Sequence, residues 1–242
     1  INNYCDSSSY KPKALVVGIS GGIDSSVVST LCANTGRKTI VLTMPIKQIK
    51  SQHDLSLSHA KWLKQKYNNV EHHLLEMDKI FTSFSQVLNK FDNEHGYANS
   101  RARLRMATLY QVAAANSGIV VGTGNKVEDF GVGFYTKYGD GGVDISPIAD
   151  CTKTQVWELG KHLGVSEDII NTPPTDGLWD DGRNDVQQLG MSYEDLEKAM
   201  VNKNDPNYQK YLEIREKNLH LSLIHISEPT RPERIAYAGV GV

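Results

Sequence analysis

Apolar positions along the chain fall into short buried runs separated by stretches of helical spacing. Ala14 to Ile19 (ALVVGI) is almost wholly apolar and rich in β-branched residues, so it reads as a strand covered on both faces. From Ile23 the period becomes helical, with Val27, Val28 and Leu31 on one side, and Gly36 ends that helix. Lys38 to Met44 (KTIVLTM) repeats the strand pattern, and Leu55, His59, Trp62 and Leu63 again fall at helical spacing. Val70 to Met77 reads as a third strand, interrupted by His72 and His73. Neighbours on a strand point to opposite faces, so these two histidines do not share a metal. Asp78 reads as a helix cap, followed by an apolar stripe of Ile80, Phe81, Phe84, Val87 and Leu88 that is expected to pack in the core. A long helix runs from Ala98 to Asn116 with Arg101, Arg103 and Arg105 in its first turns, and Gly118 to Thr123 (GIVVGT) is a fourth strand. Residues 1 to 13 are polar and read as a loop.

Strands alternating with helices in this way predict an α/β fold, a doubly wound parallel sheet with helices on both faces. Ligands of such sheets bind beyond the carboxyl ends of the strands, where the turn Ser20–Ser25 and Thr123-Gly124 would face one ligand. Further on, Lys126 to Gly142 (KVEDFGVGFYTKYGDGG) interleaves aromatics, glycines and charges, a composition suited to stacking flat rings. Thr152-Lys-Thr-Gln155 is a capping box that opens a helix through Leu163. It leaves Lys153 at a helix start, an unfavourable place for a cation unless it meets an anion. Asn171 to Asp185, with two prolines and two glycines, reads as a non-helical mobile lid. Ser192-Tyr-Glu-Asp195 caps another helix, and Tyr208 to Asn218 forms the last. No internal repeat or second domain is visible.

Composition narrows the class. A chain of 242 residues fits one α/β domain. A net charge of −2 gives no reason to expect a nucleic acid or an anionic membrane as partner. Cys5, Cys32 and Cys151 are odd in number and far apart, which predicts reduced thiols in the cytoplasm. No apolar run approaches the roughly 18 residues that span a bilayer.

The chemistry sits where the first strand meets its helix, at Ser20-Gly21-Gly22-Ile23-Asp24-Ser25. Two glycines free the backbone, and the following helix N-terminus offers unpaired N–H groups to a phosphate. The turn has no lysine before its serine, which excludes a Walker A loop, and Gly18, Gly21 and Gly22 have the wrong spacing for a dinucleotide fingerprint. Ser20 and Ser25 can donate to phosphate oxygens. Asp24, which would otherwise be only a first-turn acid, can hold the cation that travels with them. SGGxDS after an apolar strand resembles the PP-loop of the ATP pyrophosphatases, enzymes that adenylate a substrate and release pyrophosphate.

Taken with Asn99-x-x-Ala102-Arg103-x-Arg105-Met106, Gly122-Thr123, Glu128 and Thr136-Lys-Tyr-Gly-Asp-Gly-Gly142-x-Asp144, that loop makes residues 1 to 220 resemble NAD synthetase. The resemblance implies a flavodoxin-like, adenine nucleotide alpha hydrolase-like fold and a homodimer. It implies ATP-dependent amidation of deamido-NAD through an adenylated carboxylate, with ammonia as nitrogen source because no amidohydrolase domain is present. Gly18, Ile19, Ser20, Gly21, Gly22, Ile23, Asp24 and Ser25 would bind ATP, together with Thr123, Lys153 and Thr175. Asp24 and Glu128 would hold Mg²⁺. Arg103, Lys137, Asp144 and His220 would contact deamido-NAD, with Asp140 beside that site. Asp24, Lys153 and Asp140 would carry the catalysis. Relatives follow the histidine matched by His220 with a lysine, whereas this chain has Leu221. Residues 221 to 242 match a reading frame of a sequencing adaptor and are expected to be a non-native tail, just as a first helix is expected to be missing before Ile1. Two rival readings remain. GMP synthetase shares the PP-loop but not TKYGDGG, and a non-catalytic adenine-nucleotide-binding module would need neither Asp24 with Glu128 nor a lid.

Overall fold

The computed structural model describes residues 1–175, 177, 178 and 184–219. Four strands form one parallel sheet: β1 (Ala14–Gly18), β2 (Lys38–Thr43), β3 (Val70–Leu74) and β4 (Ile119–Val120), in the order β3-β2-β1-β4. Val16 pairs with Ile40 on one side and Val120 on the other. The chain steps outward from β1 to β3, then crosses back to lay β4 on the far side of β1. Connections therefore diverge between β1 and β4, the place where such sheets open a ligand crevice.

Alternation along β1 feeds two cores. Leu15 and Val17 join Val27, Val28, Leu63 and Val156, from helices α2 (Ile23–Asn34), α3 (Lys50–Lys66) and α6 (Lys153–Leu163). Ala14 and Val16 join Ile40, Leu42, Phe81 and Ala113, the last two from α4 (Asp78–Val87) and α5 (Glu94–Ala115). The doubly wound arrangement expected from the sequence is thus present. A third cluster lies off the sheet. Val127 and Val132 of a π-helical turn, Val127–Val132, pack against Leu189, Tyr193, Leu196 and Tyr211. After the short α7 (Glu167–Ile170), these come from α8 (Asp185–Leu189), α9 (Tyr193–Val201) and α10 (Tyr208–Asn218). From α10, Arg215 Nη1 donates to the carbonyls of Phe130 and Gly131, and Asn218 Nδ2 donates to that of Val132 at 2.9 Å.

Several elements differ from the pattern reading. Asn2–Ser7 is a helix, α1, not a loop. It buries Cys5, and Arg37 holds it by donating to Asn2 Oδ1 at 2.9 Å and pairing with Asp6 at 2.5 Å. Such contacts override the weak propensity of a six-residue polar segment. β3 stops at Leu74, and β4 is only two residues long, Val121 adding one isolated parallel bridge to Ile145. Met77, not Asp78, holds the N-cap of α4, while the Asp78 carboxylate accepts from the Lys47 N–H at 2.6 Å. The α4 stripe is not core. Phe81 is buried, but Ile80 is 55% and Val87 81% exposed. Asp185, expected to close a non-helical stretch, opens α8 and donates its N–H to the Pro174 carbonyl at 3.0 Å. The lid reading of 171–185 falls partly, and the tail reading of 221–242 wholly, outside the described residues.

Burial between α2 and α3 has a consequence for acid stability. His59 is 2% exposed, 3.0 Å from the Ser29 hydroxyl and stacked on Trp62. Burial lowers its pKa to about 4 from the usual 6.5. The unfolded chain therefore takes up a proton below pH 6.5 that the folded chain refuses until about pH 4. Stability is fully present above pH 6.5 and declines toward pH 4, by up to about 3 kcal/mol at about 1.4 kcal/mol per unit. Urea denaturation at pH 7 and pH 5 should show the decline. His59→Gln should flatten it, and an equally steep slope in that variant would disprove the assignment.

Candidate active site

The site is assembled at the carboxyl ends of β1 and β4. Ile19 continues the ladder by donating to the Leu42 carbonyl at 2.8 Å, and the chain then turns sharply at Gly21, φ 92°. Gly22 holds the N-cap of α2 without offering a side-chain acceptor, so the first N–H groups of that helix face the crevice. Serine side chains brace the turn. Ser20 N donates to Ser25 Oγ at 3.2 Å, Gly22 N donates to Ser20 Oγ at 3.2 Å, and the two hydroxyls lie 3.1 Å apart. The hydroxyls, N–H groups and helix dipole together form an anion cradle.

The opposite wall descends from β4. A Cβ on Gly124 would fall on the Asp129 carboxylate, which would have to turn aside to admit it. Asn125 is fully buried. Its Oδ1 accepts from Val127 N at 3.0 Å and Glu128 N at 3.1 Å, and its Nδ2 donates to Asp24 Oδ1 at 2.9 Å. The π-helical turn that follows carries Glu128 into the crevice; such turns recur at functional sites.

Between the walls stands Lys153, 1% exposed at the first position of α6. Its Nζ donates to Asp24 Oδ2 at 2.6 Å and to Glu128 Oε1 at 2.8 Å. The capping box of Thr152 and Gln155 is fully formed and fixes this helix start. Burial opposes the charge on Lys153, yet Asp24 and Glu128 hold its pKa above the ordinary lysine value. Burial likewise works against the Glu128 anion, but Lys153, then Tyr193 and Asn125, keep it below the carboxylate range. Among the described residues no such cation acts on Asp129. Burial, then Glu128, Asp140 and Asp24, push it up to about 7.

The crevice brings together most of the residues named from the sequence. Gly18, Ile19, Ser20, Gly22, Ile23, Asp24, Ser25, Thr123, Glu128, Asp140, Lys153 and Thr175 all line it. Gly21 lies behind the cradle, where a Cβ would strike the Gln52 carbonyl of α3. Arg103 and Lys137 sit together outside the crevice, Arg103 Nε donating to the Lys137 carbonyl at 3.2 Å. Arg105 is the arginine that reaches the wall, with Nε on the Met44 carbonyl at 3.0 Å. Asp144 lies at the sheet edge, accepting from Val120 N at 2.7 Å and Tyr110 OH at 3.1 Å. His220 lies outside the described residues. Asn125, Asp185 and Tyr193 were not anticipated. Asn125 follows the two glycines, Gly122 and Gly124, that come after β4 and could have been suspected, whereas Tyr193 is 65 residues from the Glu128 it touches.

Asp24 and Glu128 are the pair that could hold a divalent cation. Both are hard oxygen donors beside the anion cradle. Among the described residues no group of three potential ligands converges, so the protein offers part of a shell and not a complete cage.

The model of the NAD synthase family matches residues 1–227 of the chain. A Sulfurisphaera tokodaii protein named NH3-dependent NAD+ synthetase is 36% identical over 216 residues, covering 89% of this chain and 72% of that protein. A protein of the same name from Alkaliphilus metalliredigens is 39% identical, covering 81% of each. Among solved structures, NMN synthetase from Francisella tularensis superposes with a TM-score of 0.82 at 31% identity, covering 90% of this chain and 91% of that one. An NH3-dependent NAD synthetase from Campylobacter jejuni gives 0.68 at 26%, covering 91% and 93%.

Proposed function

The chain belongs to the NAD synthase family, and from that membership we propose that it amidates deamido-NAD with ammonia at the expense of ATP. The observation that carries the reading into this site is the triad of Asp24, Glu128 and Lys153 set against the PP-loop cradle. In the first step a nicotinate carboxylate oxygen forms a bond to the α-phosphorus of ATP, and the bond to pyrophosphate breaks. In the second, ammonia adds to the acyl carbon, AMP leaves, and a proton passes to solvent.

The chain's own residues bind, orient and neutralise. N–H groups of the α2 start, with Ser20 and Ser25, hold phosphate oxygens, and Thr123 and Thr175 complete the ATP wall. Lys153 carries the positive charge toward which negative charge moves as pyrophosphate departs, so no nucleophilic side chain is needed. Asp24 and Glu128 would hold Mg²⁺, which would supply positive charge to neutralise the phosphates. Asp140 stands at the mouth of the crevice, where its carboxylate accepts from Thr136 N at 2.9 Å. The pyridine nucleotide is assigned to the basic edge of Arg103 and Lys137, with Asp144 and His220 assigned to the same ligand by family likeness.

The similarity to an NMN synthetase favours a second reading, in which the amidated substrate is nicotinate mononucleotide. One assay separates the two. With ATP, Mg²⁺ and ammonium, the chain receives deamido-NAD and nicotinate mononucleotide at equal concentration, and NAD, NMN, AMP and ADP are resolved. NAD in step with AMP is expected. NMN in excess would transfer the function to the mononucleotide, and ADP would overturn the adenylation.

We propose a homodimer from the exposed Ile80 and Val87 of α4, with Phe91 just beyond, 77% exposed. Sedimentation velocity returning a single-protomer mass would remove that support. No helix among the described residues is long and apolar enough to cross a membrane. The three free thiols support a cytoplasmic location, which cell fractionation tests. Residues 1–220 are read as one domain and 221–242 as adaptor-derived, a point that the genomic sequence beyond codon 220 decides.

A further inference from the structure

Two residues of α9, four apart on one face, reach the ion triad and its neighbour: Tyr193 meets Glu128, and Glu197 meets Thr154 beside Lys153. Tyr193, 2% exposed, places its hydroxyl 2.6 Å from Glu128 Oε1 and 2.8 Å from Asp185 Oδ2. Its ring lies edge-on to Trp157, with centroids 6.0 Å apart, and 4.7 Å below Lys153 Nζ. One turn later, Glu197 accepts from Thr154 N at 2.9 Å and from the Thr154 hydroxyl at 2.6 Å. Thr154 adjoins Lys153. The Ser192 side chain caps the helix by accepting from Asp195 N, which fixes where Tyr193 begins it. A tyrosine used only to fill a core needs one partner for its hydroxyl. This one spends its hydroxyl on buried carboxylates, one of them the proposed cation ligand.

We propose that Tyr193 is a positioning residue for Glu128 and, through its hydroxyl, sets the separation of Glu128 from Lys153. The inference rests on the reading that a nucleotide and its divalent cation bind at Asp24 and Glu128. Outer partners of metal-ligating carboxylates change metal affinity by roughly 10- to 100-fold when removed. Tyr193→Phe removes the hydroxyl and leaves the ring, its contact with Trp157 and its place beneath Lys153.

The test reads Mn²⁺ affinity by electron paramagnetic resonance in the presence of α,β-methylene-ATP, together with the melting temperature and the Mg²⁺ dependence of turnover. Tyr193→Phe is expected to weaken Mn²⁺ about tenfold or more while melting close to the wild type. Its half-saturating Mg²⁺ should rise by the same factor, with kcat at saturating Mg²⁺ largely recovered. Leu196→Ala loosens the same helix from its fully buried face without touching the hydroxyl. It should lower the melting temperature and leave Mn²⁺ affinity within about twofold. Mn²⁺ binding in Tyr193→Phe within twofold of the wild type would overturn the proposal, as would an equal loss in Leu196→Ala. A wild type that binds no Mn²⁺ would overturn both this inference and the assignment of Asp24 and Glu128. A wild type that binds Mn²⁺ but makes no NAD would overturn the choice of substrate alone.

Discussion

Lys153→Met is expected to lower the melting temperature by roughly 10 °C and to cut turnover by about a thousandfold or more. Both effects follow from one placement. Among the described residues the Lys153 ammonium is the cation that pairs with both Asp24 and Glu128, at 2.6 and 2.8 Å, and the residue is 1% exposed. Removing one member of a buried ion cluster leaves the others uncompensated, at a cost of about 3–5 kcal/mol. For a chain of this size each kcal/mol moves the melting temperature by about 2–4 °C. Loss of a charge aimed at the leaving group costs about 10²–10³ in rate, and misplacement of the two carboxylates adds to it. The two effects can be separated with Mg²⁺, which gives the stranded carboxylates a replacement cation. Millimolar Mg²⁺ should raise the melting temperature of the variant more than that of the wild type without returning its turnover. A variant that melts normally and turns over within tenfold of the wild type would show that Lys153 is not the centre of the site.

Gly21→Ala is the second large effect, and Gly36→Ala is its control. Both glycines have positive φ, 92° and 75°. Both substitutions therefore incur the strain of a left-handed backbone, about 1 kcal/mol. At Gly36 a Cβ meets nothing within 4 Å, so the cost stops there and activity is expected to be unchanged. At Gly21 the Cβ would collide with the Gln52 carbonyl and stand 3.1 Å from Ser56 N and 3.2 Å from Leu55 Cβ. α3 cannot retreat, because Ala60 and Leu63 fix it in the core, so the PP-loop must move instead. A shift of an ångström in a phosphate cradle is worth about a hundredfold. ATP turnover in Gly21→Ala should fall by about that factor, measured as kcat/KM for ATP. Equal losses in the two variants would mean that backbone strain, not the approach of α3, explains both.

These contrasts show which parts of the molecule a linear sequence reveals. β1 and the PP-loop are legible because their determinants are contiguous: an apolar run, two glycines, then a helical period. The Thr152–Gln155 box is legible for the same reason, and it correctly placed Lys153 at a helix start. The α4 stripe misled because periodicity reports that one face of a helix is apolar and not what covers it. Phe81 found the core, while Ile80 and Val87 found the surface. α1 was missed because its stability comes from Arg37, 31 residues from the Asp6 it pairs with. The same limit applies more severely to the site. Lys153 meets Asp24 across 129 residues, Asn125 meets it across 101 and Tyr193 meets Glu128 across 65. Periodicity and spacing do not carry information over such separations. The family resemblance supplied Lys153 and Glu128 but not the asparagine and tyrosine that hold the acids in place.

The grip of α10 on the π-helical turn ties the order of synthesis to the onset of function. Arg215 and Asn218 hold the carbonyls of Phe130, Gly131 and Val132, the stretch that presents Glu128. A ribosome has therefore made nearly all of the described chain before that acid is clamped. The four strands and the cradle precede α10 in the chain, whereas the clamp on the Glu128 stretch waits for α10 to emerge. Copies truncated before α10 lack that clamp on the stretch that presents Glu128.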